Sequence, residues 1–361
     1  MTRDPKQITE RTIGLAAFCV LLLAPVLFSD YWVDVILTQM LIVGIAAASL
    51  IFLAAYGGMI SLAQTALAGT AGFNLGNLAT VGGEGGESKG LSLGWDPTLS
   101  LVIAIVGTVL IGLFFGAIAA RSTGIYFLMI TLTFSVIGFY FVGQVTVISG
   151  FSGIGGINRY TPGFVGDMVN DRFRLYYIAF GVAVLVYAMI RFIVKTPFGL
   201  SLQGVRDEPV RMSSLGYAVP LHRTLAFGLA AFFAALSGVL LVWWQGQIAP
   251  GDVGLPATID LLIVAVIGGL ARIEGAWVGA LAFILIGNYI RDSWLTQLLD
   301  DLHIGGSFNT IIGLIFLLIV IVSPDGLVGL WDRLWRRLQS GDDAEAPGAP
   351  VSPVGAVPRE V

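Results

Sequence analysis

The sequence predicts an all-α integral membrane protein with about ten transmembrane helices. Of its 361 residues, 56% are hydrophobic and only 12% are charged, against roughly 25% charged residues in soluble domains. The mean hydropathy is +0.88. Apolar runs recur along the chain, and a helix needs about 20 apolar residues to cross the hydrocarbon core of a bilayer. We therefore expect membrane lipid, and no nucleic acid, among the partners of the chain.

Ten segments meet this length requirement closely enough for a transmembrane helix to be predicted in each: 12–28, 34–54, 59–80, 99–120, 123–145, 175–194, 224–246, 258–271, 275–290 and 308–323. The first follows three basic residues and resembles a signal peptide, but no clear cleavage site follows it, so we interpret it as a retained span. The predicted organisation is a cytoplasmic N-terminus at 1–11 and a transmembrane domain at 12–326. An interfacial helix at 327–339 and a disordered tail at 340–361 complete it.

The distribution of basic residues predicts the orientation of the chain. Five of the 19 basic residues fall in segments on one side, and the other 14 share the side of the N-terminus. The five are Lys89, Arg159, Arg172, Arg174 and Arg291. Because lysine and arginine accumulate in cytoplasmic loops, both termini are predicted to be cytoplasmic.

A charged segment at 195–223 separates two long apolar runs and is predicted to be cytoplasmic. Its inner part, Gly204–Tyr217, is predicted to form a short helix. Asp207 would cap this helix, Pro209 would begin it and Gly216 would end it.

The predicted helix has two chemically different faces, since charged residues alternate with apolar ones. Glu208 and Arg211 alternate with Val210, Met212 and Leu215. Such an amphipathic helix suits docking into a groove of a soluble partner. The alternative interpretation is a solvated connector.

Two further features are candidates for a transport path. The stretch 261–269 is too short to cross about 30 Å of hydrocarbon at 1.5 Å per residue, which favours a broken or re-entrant pair with 268–280. Polar residues within apolar helices form the second feature, and close helix packing is the alternative explanation for them. These residues are Ser61, Gln64, Asn74, Thr131 and Thr133.

The sequence offers little support for catalysis. The two histidines, His222 and His303, lie in no metal or triad pattern, and the single cysteine, Cys19, lies in an apolar run. No glycine-rich loop with lysine and serine or threonine is present to bind phosphates. We therefore expect no enzyme and no cofactor in this chain; if ATP drives it, partner chains must bind the ATP and magnesium.

Several motifs in order resemble permease subunits of branched-chain amino acid ABC transporters, and the longer of the two permease types most. They are TGIYFLMITLTF at 123–134, SGFSGIGGI at 149–157, GVRDEPVRMSSLGY at 204–217, LAFGLAAFFAALSGVLL at 225–241 and IGGLARIEGAWVGA at 267–280. The resemblance runs from about residue 47 to residue 326.

The resemblance implies an ABC-importer permease fold whose cytoplasmic loop is a coupling helix that docks into the ATPase. The positions carried over from the family are Arg206, Asp207, Glu208 and Gly216. Arg211, on the charged face of the predicted helix, is also expected to serve this coupling. The implied partners are a second permease subunit, two ATP-binding ATPase subunits and a periplasmic substrate-binding protein. The implied location is the bacterial inner membrane.

Two alternative functions remain open at this stage. Pro209, Arg211, Met212 and Ala276 depart from the pattern of the family, and related permeases carry urea or short amides. An ion-coupled secondary transporter is the other alternative, suggested by Asp260, Glu274 and the short eighth span. A scaffold without transport activity is disfavoured by the number of helices rich in small residues.

Overall fold

The computed structural model describes residues 14, 16, 18–81, 90–148, 150–163, 165–166, 172–291, 313, 314, 317, 321 and 326–329. Its helices are α1 (Ala24–Leu27), α2 (Trp32–Gly57), α3 (Gln64–Ala79), α4 (Pro97–Ala119), α5 (Ile125–Gln144), α6 (Arg172–Lys195), α7 (Pro197–Asp207), α8 (Pro209–Ser214), α9 (Val219–Gln245), α10 (Leu255–Gly268) and α11 (Gly275–Arg291). The first six residues of α2 form a π-helix. Two short strands, β1 (Ile154–Gly155) and β2 (Gln247–Ile248), pair antiparallel.

The all-α membrane fold class is confirmed. Within the described ranges, five helices are long and apolar enough to cross a membrane: α2, α4, α5, α6 and α9. Helices α10 and α11 are apolar but shorter. The predicted span at 59–80 begins only at Gln64, because Gly58 adopts a left-handed conformation with φ of +66° and residues 58–63 are not helical.

The helices α2 and α9 form the centre of the molecule and are largely buried. Helix α9 packs against α2, α3 and α4. The Ser237 hydroxyl of α9 donates to the Ile42 carbonyl of α2 at 2.8 Å, and the rings of Phe52 and Phe233 meet edge to face at 5.8 Å. By contrast, α4, α5 and α6 are mostly exposed and apolar, as expected for helices that face lipid or another subunit.

The crossing of α3 and α9 depends on a glycine. A Cβ atom at Gly238 would collide with the backbone of Ala68. We therefore expect Gly238→Ala to lower the free energy of unfolding by about 1–3 kcal/mol through overpacking. The matched control is Gly181→Ala in α6, where a Cβ meets nothing within 4 Å. This control should be neutral or stabilise by about 0.5–1 kcal/mol, and thermal unfolding in detergent compares the two.

The described connections gather at two ends of the helix bundle. The coupling end, as we call it, contains the end of α2, the α4–α5 connection, α7, α8 and the turn between α10 and α11. The opposite end contains the β1–β2 pair, where Ile154 is the register partner of Ile248, and the isolated bridge between Val81 and Leu93.

The charged segment differs from its prediction in one respect. The predicted start of the helix at Pro209 is confirmed, but Asp207 does not cap it: Asp207 is the last residue of α7, and no side chain caps α8. The capping prediction is therefore wrong. Proline has no N–H and its ring clashes with the preceding turn, so α7 cannot continue past Glu208. The predicted stop at Gly216 is confirmed, since its φ is +90°.

Several predicted segments lie wholly or largely outside the described residues. These are the N-terminus at 1–11, most of the span at 308–323, the interfacial helix at 327–339 beyond residue 329, and the tail at 340–361. Of the span at 12–28, only residues 12, 13, 15 and 17 lie outside the described residues. The count of ten spans and the boundaries of the domains stay predictions.

Candidate coupling face and translocation path

Helix α7 fixes the charged segment to the body of the protein. Its N-cap, Thr196, accepts a hydrogen bond from the Gly199 amide at 3.3 Å, and Pro197 occupies the first helical position. Leu202 and Val205 lie three residues apart on one face, and both are fully buried. This burial holds α7 rigidly, so that α8 is presented at the coupling end.

Helix α8 and the residues after it expose apolar side chains at this end. Val210 is 77% exposed and Leu215 is 66% exposed. Glu208 and Arg211 are also exposed, whereas Met212 is half-buried and packs over Gly204, where a Cβ would approach its sulfur to 2.9 Å. An exposed apolar patch rimmed by charges is typical of a protein interaction surface.

Arg206 turns inward and contacts the end of α2. Its Nη1 donates to the Ala55 carbonyl, and its Nε donates to Asp207 Oδ1 at 2.7 Å. A guanidinium is favourable here, because the last carbonyls of a helix lack partners and carry partial negative charge. A Cβ at Gly58 would come within 2.6 Å of Arg206 Cγ. The bond from Arg206 also lowers the pKa of Asp207 below its ordinary value.

A second polar contact at the coupling end joins α6 to the turn between α10 and α11. The Tyr187 hydroxyl donates to Glu274 Oε1 at 2.8 Å, and Arg191 Nη2 lies 3.7 Å from the same oxygen. Arg191 also lies 5.5 Å from the centre of the Tyr187 ring. The other acidic residue considered for ion coupling, Asp260, is exposed on α10.

Two of the predicted pathway residues, Ser61 and Gln64, are fully buried where α3 begins. Ser61 Oγ accepts from the Ala63 amide at 3.2 Å. The Ser49 hydroxyl donates to the Ala46 carbonyl at 2.6 Å and lies 3.2 Å from Gln64 Oε1. Gln64 Nε2 is buried and has no hydrogen-bond partner, and an unsatisfied buried donor costs free energy.

Thr131 joins this region to α5. Its hydroxyl accepts from the Leu62 amide at 3.1 Å and donates to the Leu128 carbonyl at 3.0 Å. Three residues that the sequence interpretation missed continue the polar contacts: Thr65 donates to Thr258 at 3.0 Å, and Ser135 Oγ lies 3.0 Å from the same Thr258 oxygen. The four-residue spacing of Thr131 and Ser135, which places them on one helix face, is the signal that could have found Ser135.

The structure does not bring Asn74 and Thr133 into this group. Asn74 is half-buried and lies ten residues beyond Gln64 in α3, or about 15 Å along the helix. Thr133 is exposed on α5, and its hydroxyl donates to the Met129 carbonyl at 2.9 Å. Two residues correspond to about 200° around a helix, so Thr133 lies on the opposite face from Thr131.

The predicted broken pair is a tight hairpin of two short helices. Helix α10 has 14 residues and therefore spans about 21 Å, while α11 has 17 residues. The two pack through glycines: a Cβ at Gly268 would collide with the Gly275 backbone, and a Cβ at Gly279 would collide with that of Val264.

Comparison with known proteins identifies relatives that are named as branched-chain amino acid transport permeases. The chain is 27% identical over 192 residues to the probable branched-chain amino acid transport permease protein LivH of Methanocaldococcus jannaschii, covering 49% of this chain and 53% of the relative. It is 25% identical over 167 residues to the high-affinity branched-chain amino acid transport system permease protein LivM of Salmonella typhimurium, covering 46% and 36%.

A further relative is named for the import of a different compound, autoinducer 2. The chain is 30% identical over 157 residues to the autoinducer 2 import system permease protein LsrC of Escherichia coli O9:H4, covering 43% of this chain and 44% of the relative. The chain thus matches about half or less of the length of these curated relatives. No solved structure matches it.

A family model described as branched-chain amino acid transport system / permease component matches residues 33–322. This match includes every helix from α3 to α11 and nearly all of α2. The resemblance carried by the sequence motifs is therefore confirmed, and the chain belongs to the family of branched-chain amino acid transport system permease components.

Proposed function

We propose that this chain is a membrane-spanning permease subunit of an ATP-driven importer for branched-chain or other small hydrophobic amino acids. The observation that carries the proposal is the exposed apolar surface of α8 at the coupling end of a chain of this family. The names of the LivH and LivM relatives support the substrate class. The partners would be a second permease subunit, two ATPase subunits that bind ATP and magnesium, and a periplasmic binding protein.

The distribution of charge supports an orientation with the coupling end in the cytoplasm of a bacterium. Seven described basic residues lie at or near this end: Arg121, Arg191, Lys195, Arg206, Arg211, Arg223 and Arg272. Four lie towards the opposite end: Arg159, Arg172, Arg174 and Arg291. The positive-inside rule then puts α8 where a cytoplasmic ATPase can reach it.

The coupling pathway in this proposal runs from α8 through Arg206 into α2. An ATPase that binds the α8 surface differently in its two nucleotide states shifts the population of inward-open and outward-open forms. Because Arg206 binds the Ala55 carbonyl, a displacement of α7 and α8 is transmitted to the end of α2. The chain itself would hydrolyse nothing; it transports.

In this proposal the path passes the polar residues at the start of α3, and selectivity rests mainly with the external binding protein. No aspartate, glutamate, lysine or arginine is among the buried side chains of the described residues. A path with hydroxyls and amides but without buried charge offers no buried carboxylate that would bind a coupling ion, which disfavours the alternative of an ion-coupled transporter.

Gln64→Leu is expected to lower uptake several-fold while leaving the unfolding temperature unchanged or slightly raised. Removing the Gln64 side chain removes a buried donor that has no partner, which is nearly neutral or favourable for stability. The matched control is Asn77→Leu in the same helix, because Asn77 is buried and satisfied: it donates to Phe73 and accepts from Leu91. Asn77→Leu should lower the unfolding temperature, because it leaves the Leu91 amide without its acceptor. Full uptake by Gln64→Leu would remove this residue from the path.

The function is tested by reconstituting the chain in proteoliposomes with its genomic partners. Uptake of labelled leucine that requires both ATP and the binding protein is the expected result. Uptake of urea or acetamide instead would refute the substrate class. Uptake by the single chain with an ion gradient and no ATPase would refute the whole proposal.

A further inference from the structure

A cavity of about 290 Å³ opens at the coupling end, outside the polar group at the start of α3. Three parts of the chain line it: the residues after α2, the connection between α4 and α5, and the beginning of α9. The lining residues that matter are Gly58, Ile60, Thr123, Gly124, Ile125 and Arg223. The cavity thus lies at the coupling end, where α2 and α4 end and α5 and α9 begin.

Arg223 brings a positive charge into this cavity. Its side chain is half-buried, and its Nε atom is buried without a hydrogen-bond partner. The ion pairs of Arg191 with Glu274 and of Arg206 with Asp207 do not involve Arg223. A partly desolvated guanidinium without a partner is unfavourable, so the cavity favours an anion.

The N-terminus of α5 strengthens the preference of the cavity for an anion. Gly124 is its N-cap, with φ of +58°, and no side chain caps the helix there. The first amides of a 20-residue helix therefore face the cavity region with the positive end of the helix dipole. An uncapped helix N-terminus binds anions well, and here it stands beside Arg223.

Apart from Ser122 and Thr123, the rest of the lining is apolar, and two of its isoleucines are open to the surroundings of the protein. Ile125 is 74% exposed and Ile60 is 37% exposed. A free inorganic anion gains nothing from such side chains, whereas a ligand with an anionic head and apolar chains contacts both parts of the site. Basic pockets between helix ends on the cytoplasmic side are suited to lipid headgroups.

We propose that this cavity binds the phosphate of an anionic phospholipid through Arg223 and the first turn of α5. A guanidinium can donate two parallel hydrogen bonds to a phosphate, and Arg223 lines the cavity. The bound lipid would join the ends of α2, α5 and α9. The proposal depends on the membrane fold and not on the transported substrate, so its test is independent of the uptake assay.

Native mass spectrometry of the full chain, released from nanodiscs of equimolar phosphatidylglycerol and phosphatidylcholine, tests the site. The wild type should retain one more phosphatidylglycerol than Arg223→Gln. The matched control is Arg121→Gln, an exposed arginine next to the cavity, which should retain the lipid like the wild type. A second variant, Ile125→Glu, changes an exposed side chain and so preserves the fold, but its carboxylate should repel the phosphate and remove the lipid.

Equal retention of phosphatidylglycerol in the wild type, Arg223→Gln and Ile125→Glu would overturn the proposal. A second arm separates the sources of phosphate by thermal unfolding in detergent. Short-chain phosphatidylglycerol should raise the unfolding temperature of the wild type by a few degrees, and inorganic phosphate should not. If inorganic phosphate or short-chain phosphatidylcholine stabilises equally well, the assignment to an anionic lipid is wrong.

Discussion

Replacing Val210 and Leu215 together by aspartate is expected to reduce ATP-driven uptake at least ten-fold by detaching the ATPase. Both side chains are largely exposed in the single chain. Burying a valine or a leucine at an interface contributes about 1.5–3 kcal/mol each, and a buried unpaired carboxylate adds a further penalty. Co-purification of the ATPase with the tagged permease and uptake into proteoliposomes measure the two effects.

Exposure makes this double variant informative, because neither substitution disturbs the buried core of the chain. The matched control is Val147→Asp, beyond the end of α5 at the opposite end of the bundle; Val147 is 64% accessible, close to the 66% of Leu215. The control should retain both the ATPase and uptake. An intact complex with normal uptake in the double variant would exclude α8 as the docking surface.

Arg206→Met is expected to leave the complex assembled but to lower uptake per ATP hydrolysed at least ten-fold. Methionine retains part of the aliphatic stem over Gly58 but cannot donate to the Ala55 carbonyl or to Asp207. The displacement of α7 and α8 then no longer reaches α2. The ratio of transported leucine to released phosphate, measured on the same proteoliposomes, is the decisive quantity.

Lys195→Met is the matched control for this variant, since Lys195 is an exposed cation at the start of the same segment. Its transport ratio should equal that of the wild type. If Arg206→Met instead keeps the ratio but loses the ATPase, Arg206 contacts the partner directly and the pathway through α2 is incorrect.

Composition and apolar length were sufficient to predict the membrane fold and most helix bounds to within a few residues. Both quantities are local, and the bilayer imposes them on every span. The start of α3 and the existence of α7 as a separate helix before Pro209 were missed for a different reason. Gly58 and Pro209 interrupt helices there, and hydropathy does not register backbone conformation.

The candidate sites were predicted only in part. The charged segment and Gln64 could be predicted because polar residues within apolar runs are visible in the sequence alone and are costly in a membrane. The inward turn of Arg206 depends on Ala55, which is 151 positions away. The contact of Ser135 with Thr258 spans 123 positions. Single-sequence patterns carry no information about such distant partners.

Site-specific crosslinking from α8 tests the central claim most directly. The chain has one cysteine, Cys19, so Cys19→Ser provides a background in which Val210→Cys is the only thiol. A short thiol-to-amine crosslinker applied to the assembled complex should join Val210→Cys to the ATPase subunit, and should leave the ATPase unlinked when the thiol is at Val147→Cys. Crosslinks from Val210→Cys to lipid or to the second permease, with none to the ATPase, would contradict the account.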